Sequence, residues 1–88
     1  MTTTTTIKIN VRYFAAAAAA AGVETETLDI TPGTTIATLT ERLGARNAEL
    51  AHVLKRCSYL CDGVAVRDTT NAITTPQTLD VLPPFAGG

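Results

Sequence analysis

Apolar and polar residues alternate without a break from Ile7 to Tyr13. Ile7, Ile9, Val11 and Tyr13 fall on one side, Lys8, Asn10 and Arg12 on the other. A period of two predicts a strand with one buried face. Seven alanines come next, Ala15 to Ala21, and then Gly22. Alanine is the strongest helix former and glycine a natural left-handed stop. A short helix is expected, one that needs packing to persist. Val23 to Ile30 reads as a second strand, with Leu28 and Ile30 inward and Glu24, Glu26 and Asp29 in water. Thr31-Pro32-Gly33-Thr34 predicts a turn, and Thr35 is placed to cap the next helix. Ile36, Leu39 and Leu43 recur at helical spacing until Gly44, the expected stop. Asn47 can cap a shorter helix through Leu54, with Leu50, Val53 and Leu54 as its apolar stripe. Ser58 to Cys61 and Val64 to Arg67 flank Asp62-Gly63, a strong hairpin dipeptide. A polar stretch from Asp68 to Pro76 is anchored by Ile73. Thr78 to Leu82 is the last strand, with Leu79 and Val81 facing away from Asp80.

This order predicts an α+β fold: one mixed, five-stranded sheet packed on one main helix. The first and last strands are the most apolar, which places them side by side in the middle. Three segments are expected: a flexible N-terminus at 1–6, a folded domain at 7–82 and an extended tail at 83–88.

Length and composition narrow the function. A chain of 88 residues suits one domain. Apolar residues make up 45% and charged residues 17%, a globular balance. A net charge of -1 gives no general attraction to nucleic acid or to an anionic membrane. No apolar run has the length of a membrane span, and Met1 with its threonines is no signal peptide. A cytoplasmic protein is the expectation.

Candidate chemistry within the domain is sparse. The single histidine, His52, sits at a helical position and reads as solvated or partly packed. Cys57 and Cys61 in one strand would stand about 13 Å apart, at ~3.3 Å per residue. A disulfide needs Cα atoms within roughly 7 Å. Two reduced, mostly packed thiols are expected, with a persulfide relay as the alternative. There is no zinc-type spacing, no phosphate-cradling glycine loop and no nucleophile motif. An active site of its own and a bound cofactor or metal are not expected. Arg42, Arg46, Lys55 and Arg56 are either a solvated face or a docking patch for an acidic partner.

The end of the sequence differs. "LPPFAGG" runs from Leu82 to Gly88. Pro83 and Pro84 hold the backbone stretched and away from the sheet. The residues from Pro83 onward reach at most about 20 Å. Phe85 is placed to anchor the arm in a partner groove, with Ala86 beside it. Gly87 and Gly88 lack Cβ atoms, so their backbone can thread a tunnel closed to larger residues. At the tip is an α-carboxylate, which becomes electrophilic once adenylated.

"IKINVRYFAAAAAAAG", "LCDG" before a hairpin and "LDVLPPFAGG" together resemble the ubiquitin-like sulfur carriers of the MoaD/ThiS family. Within it, the small subunits of molybdopterin synthase are most similar. The resemblance covers Ile7 to Gly88 and is specific in its tail. It implies a β-grasp (ubiquitin-like) fold. It also implies that an activating enzyme of the E1-like type, using ATP and magnesium, adenylates Gly88, which a sulfur donor converts to a thiocarboxylate. Gly87 would be the tunnel neighbour, and Leu82, Pro83, Pro84, Phe85 and Ala86 the arm that binds the large synthase subunit. Sulfur would then build the dithiolene of molybdopterin. Many relatives carry an aliphatic residue where Phe85 stands, which leaves the partner open. Carriers for thiamin thiazole, cysteine or secondary metabolites look alike, and a ubiquitin-like modifier of lysines shares the tail. An interaction module with an unmodified tail is the remaining class.

Overall fold

A computed structural model describes residues 5–84. The expected flexible N-terminus lies largely outside these residues, as does the tail from Phe85 on. Strand β1, Ile7–Tyr13, buries Ile9, Val11 and Tyr13 and exposes Lys8, Asn10 and Arg12, as its alternation requires. The chain then enters helix α1, Ala16–Ala21, one residue later than predicted. Ala15 is not helical. It makes the corner with φ 50° and ψ -124°, outside the usual range of a residue with a Cβ. Gly22 closes α1 in the left-handed conformation. Ala17 and Ala20 are buried, so the small side chains let α1 lie close on its neighbours.

Strand β2, Thr25–Ile30, pairs antiparallel with β1, Ile7 opposite Ile30 and Arg12 opposite Thr25. It is shorter than predicted, since Val23 and Glu24 belong to the turn and Val23 stays exposed. A two-residue strand β3, Thr34–Thr35, leads into helix α2, Ile36–Gly44. The Thr35 hydroxyl caps α2 by accepting from the Thr38 N–H at 3.1 Å. Ile36, Leu39 and Leu43 are buried against the sheet. Helix α3, Ala48–Leu54, buries Leu50 and Leu54.

Strands β4, Ser58–Cys61, and β5, Val64–Ala65, form the expected hairpin. Asp62 at φ 48° and Gly63 at φ 82° are both left-handed, the requirement of the tight turn that Asp-Gly predicts. The return strand ends at Ala65, not Arg67. Strand β6, Ala72–Ile73, pairs with β3 in a small second sheet that no sequence pattern announces. Strand β7, Gln77–Leu82, runs parallel to β1 and antiparallel to β4. The main sheet has the order β2-β1-β7-β4-β5, so the first and last long strands are central, as expected. One face carries the helices; the other is open.

This is the α+β, ubiquitin-like β-grasp arrangement. The core runs from Ile9 through Val11, Leu39, Leu43 and Leu50 to Leu79 and Val81. Each fully buried aliphatic side chain contributes about 1.5–3 kcal/mol.

Candidate functional site

The site forms where β7 leaves the sheet. Because β7 lies between β1 and β4, its C-terminal end emerges from the middle of the sheet rather than from an edge. Leu82 and Pro83 are half-buried there and Pro84 is exposed. Phe85, Ala86, Gly87 and Gly88 lie outside the described residues.

The strand registers decide what surrounds this exit. Arg12 stands opposite Asp80, and Asp80 opposite Leu60. Ser58 stands opposite Leu82. The Phe14 N–H donates to the Val81 carbonyl at 3.2 Å, which fixes Phe14 beside Leu82. All these side chains belong to the open face by strand alternation. Phe14 is 40% exposed and Leu60 is half-buried, so the face around the tail's root is apolar and accessible.

At its centre sits an ion pair. Arg12 donates from Nε to Asp80 Oδ1 at 2.6 Å and from Nη2 to Asp80 Oδ2 at 2.8 Å, a two-pronged contact of the strong kind. Asp80 is the one buried charged residue among those described, at 6% exposure. The Arg12 guanidinium lies 5.7 Å from the Phe14 ring centroid. Bonding to Asp80 raises the pKa of Arg12 further.

On the other face, Glu26 was expected in water but is largely covered. It accepts from the Tyr13 hydroxyl at 2.7 Å and from Arg46 at 2.8 Å. Burial favours its neutral form, but the bonds from Arg46 and Tyr13 outweigh that and lower its pKa. Burial, then the bond to Glu26, raises that of Tyr13. Arg46 is therefore tied to the sheet and does not belong to a free basic patch with Arg42, Lys55 and Arg56. His52 lies exposed on α3.

Cys57 and Cys61 are free, half-buried thiols. Burial raises the pKa of both. Burial also pushes the Tyr59 hydroxyl up to about 12, and it donates to the Leu54 carbonyl at 2.8 Å. Among the described residues no group of three or more His, Cys, Asp or Glu could hold a metal ion. No helix among them is long and apolar enough to cross a membrane.

Of the predicted site residues, the structure brings Leu82, Pro83 and Pro84 to the exit of β7. Phe14 and Leu60 were missed as site residues. The signal for Phe14 was in the alternation: it continues the polar side of β1, where an aromatic is out of place.

The fold and the central exit of β7 define a ubiquitin-like β-grasp protein. The chain belongs to the ThiS family, whose model matches residues 11–88. It is similar to a candidate subunit 1 of molybdopterin converting factor from Pyrococcus furiosus, at 21% identity and a TM-score of 0.78, covering 90% of this chain and 99% of that one. SAMP1 from Haloferax volcanii matches at 22% identity and a TM-score of 0.77, covering 92% and 99%. Subunits 1 and 2 of molybdopterin-converting factor from Helicobacter pylori form a complex, in which the matching chain is 16% identical, with a TM-score of 0.68 and coverage of 93% and 100%. At these identities the likenesses speak to the fold. No curated protein sequence matches the chain.

Proposed function

We propose that this protein is a sulfur carrier whose C-terminal Gly88 is adenylated and then thiocarboxylated, and that it serves as the small subunit of a molybdopterin synthase. The observation that carries the reading is the central exit of β7. β7 is held between two other strands, Pro83 and Pro84 follow it directly, and the family match continues through Gly88.

In this reading an E1-like enzyme uses ATP and magnesium as its own substrate and cofactor. The Gly88 carboxylate oxygen attacks the α-phosphorus and pyrophosphate leaves. A sulfur nucleophile then attacks the acyl carbon, the acyl–phosphate bond breaks and AMP departs. In this reading the acids and bases for these steps belong to the activating enzyme; the carrier supplies its C-terminal residues and a surface by which partners hold it. That surface is the open face around Phe14, Leu60 and Leu82, and its partner is the large synthase subunit. The Helicobacter pylori relative, found as a complex of subunits 1 and 2, supports that choice. Phe85, Ala86 and Gly87 complete the arm.

Intact mass measurement tests this. After incubation with the activating enzyme, ATP and a sulfide source, the chain should gain the mass of one sulfur replacing one oxygen. The charged protein should pass sulfur to a pterin precursor only with the large subunit present. The likeness to SAMP1, a small archaeal modifier protein, favours a second reading as a protein modifier. Isopeptide adducts on lysines as the main cellular form, without sulfur transfer, would select it.

A further inference from the structure

The Arg12–Asp80 pair stands in the middle of the face that the proposed docking would cover, and it constrains the partner. Registers place Thr25, Arg12, Asp80, Leu60 and Ala65 in one row across all five strands. Phe14 and Leu82 flank that row. The row is apolar on one side of the pair, and the pair itself is unequal. Asp80's side chain is 8% exposed and Arg12's is 48% exposed. The carboxylate lies beneath and the guanidinium above, so an approaching surface meets a positive charge.

Arginine has five N–H donors. Asp80 takes one from Nε and one from Nη2, and Arg12 makes no other side-chain hydrogen bond among the described residues. The three remaining donors have no protein partner among the described residues and, on a side chain that is 48% exposed, are open to water. Covering the face with a purely apolar surface would strip that water and leave them without partners, which is costly for a charged group. A partner that binds this face must offer acceptors there, and the outward positive charge favours an anionic one.

We infer that the partner of this face is an apolar protein surface carrying a carboxylate side chain that seats on the outer N–H edge of Arg12, bridging it from the side opposite Asp80. The inference rests on the reading that the large synthase subunit docks here. Arg12 is then a specificity determinant: a large subunit with an apolar residue at that point is rejected, whatever its fit to Phe14 and Leu82.

The test is calorimetric binding of the full chain to subunit 2 of molybdopterin converting factor from the same organism, at low and high salt. Three forms are compared: wild type, Phe14→Ala, and the double variant Arg12→Leu with Asp80→Leu. Replacing both ions by apolar residues is tolerated in many folds, and thermal melting checks that the double variant is folded. The proposal expects the double variant to bind at least about tenfold more weakly, because the partner's carboxylate loses its cation. It also expects a smaller loss of affinity with salt than in wild type. Binding as tight as wild type, or tighter, would overturn the proposal. So would weaker binding with unchanged salt dependence, which would assign the loss to shape. Phe14→Ala separates the two levels. If it weakens binding while the double variant does not, the docking face stands and the carboxylate falls. If wild type does not bind at all, both fall.

Discussion

At the residue scale, the sharpest feature is Ala15. Its φ of 50° with ψ of -124° suits glycine, because a Cβ crowds the backbone there. Such strain costs on the order of 1–3 kcal/mol. Glycine would relieve it while adding about 0.4–1 kcal/mol of unfolded-state freedom. Ala15→Gly should therefore stabilise by about 1 kcal/mol, a rise in Tm of roughly 4–8 °C for a domain of this size. A fall in Tm would mean that the corner is not strained. Glu26 gives a pH-dependent counterpart. Its pKa is lower in the folded protein than its ordinary value of 4.5. The stability it contributes is thus present above that value and is lost as pH falls through the folded pKa. Glu26→Gln should cost about 1 kcal/mol at neutral pH, since hydrogen bonds to a charged group are the stronger kind. Denaturant titrations should show the gap between wild type and variant closing once the pH drops below 4.5.

At the element scale, stability turns on how α3 meets its neighbours. Gly44 was expected to end α2, and it is the last helical residue, in ordinary helical backbone. Its role is closeness: a Cβ there would stand 3.1 Å from the Ala51 Cβ and 3.2 Å from its Cα. Alanine in a helix gains about 1 kcal/mol over glycine, but overpacking costs about 1–3 kcal/mol. Because backbone and not a flexible tip must move, Gly44→Ala should be destabilising by about 1 kcal/mol. Adding Ala51→Gly should remove the clash, so the double variant's urea midpoint should exceed the value obtained by adding the two single effects. Asn47 locks the same corner from the other end. Its Oδ1 caps α3 through the N–H groups of Glu49 and Leu50, and its Nδ2 donates to the Ala20 carbonyl at 2.7 Å. Losing a cap costs ~1 kcal/mol, so Asn47→Ala should exceed that figure by undoing the tie to α1 as well. The cap was legible in the sequence because Asn before an apolar stripe has one local meaning. The tie to Ala20 was not, since it joins residues distant along the chain.

At the scale of the whole molecule, the same divide explains what could be read in advance. Alternation in β1 and β7 was strong enough to place both in the centre of the sheet, and Asp62-Gly63 announced its turn. The two-residue strands β3 and β6 carry no period and exist only because tertiary folding brings Thr34 opposite Ile73. Arg12 and Asp80 each read as a polar residue of its strand; only the parallel register of β1 and β7 makes them partners. Burial is therefore concentrated between Ile9 and Val81, whereas the chemistry is proposed for Gly88, beyond the last strand. That separation predicts two opposite phenotypes. Val11 is fully buried in the central strand, and Val11→Asp would place an unpaired charge there at a cost of several kcal/mol. Set against the roughly 5–15 kcal/mol that holds a domain together, that should leave the chain largely unfolded by circular dichroism. Deleting Gly87 and Gly88 should do the reverse: an unchanged melting temperature with complete loss of the sulfur-for-oxygen mass gain. A deletion variant that melts well below wild type would place part of the core's support in the tail. One that still gains sulfur would move the reactive carbonyl away from Gly88.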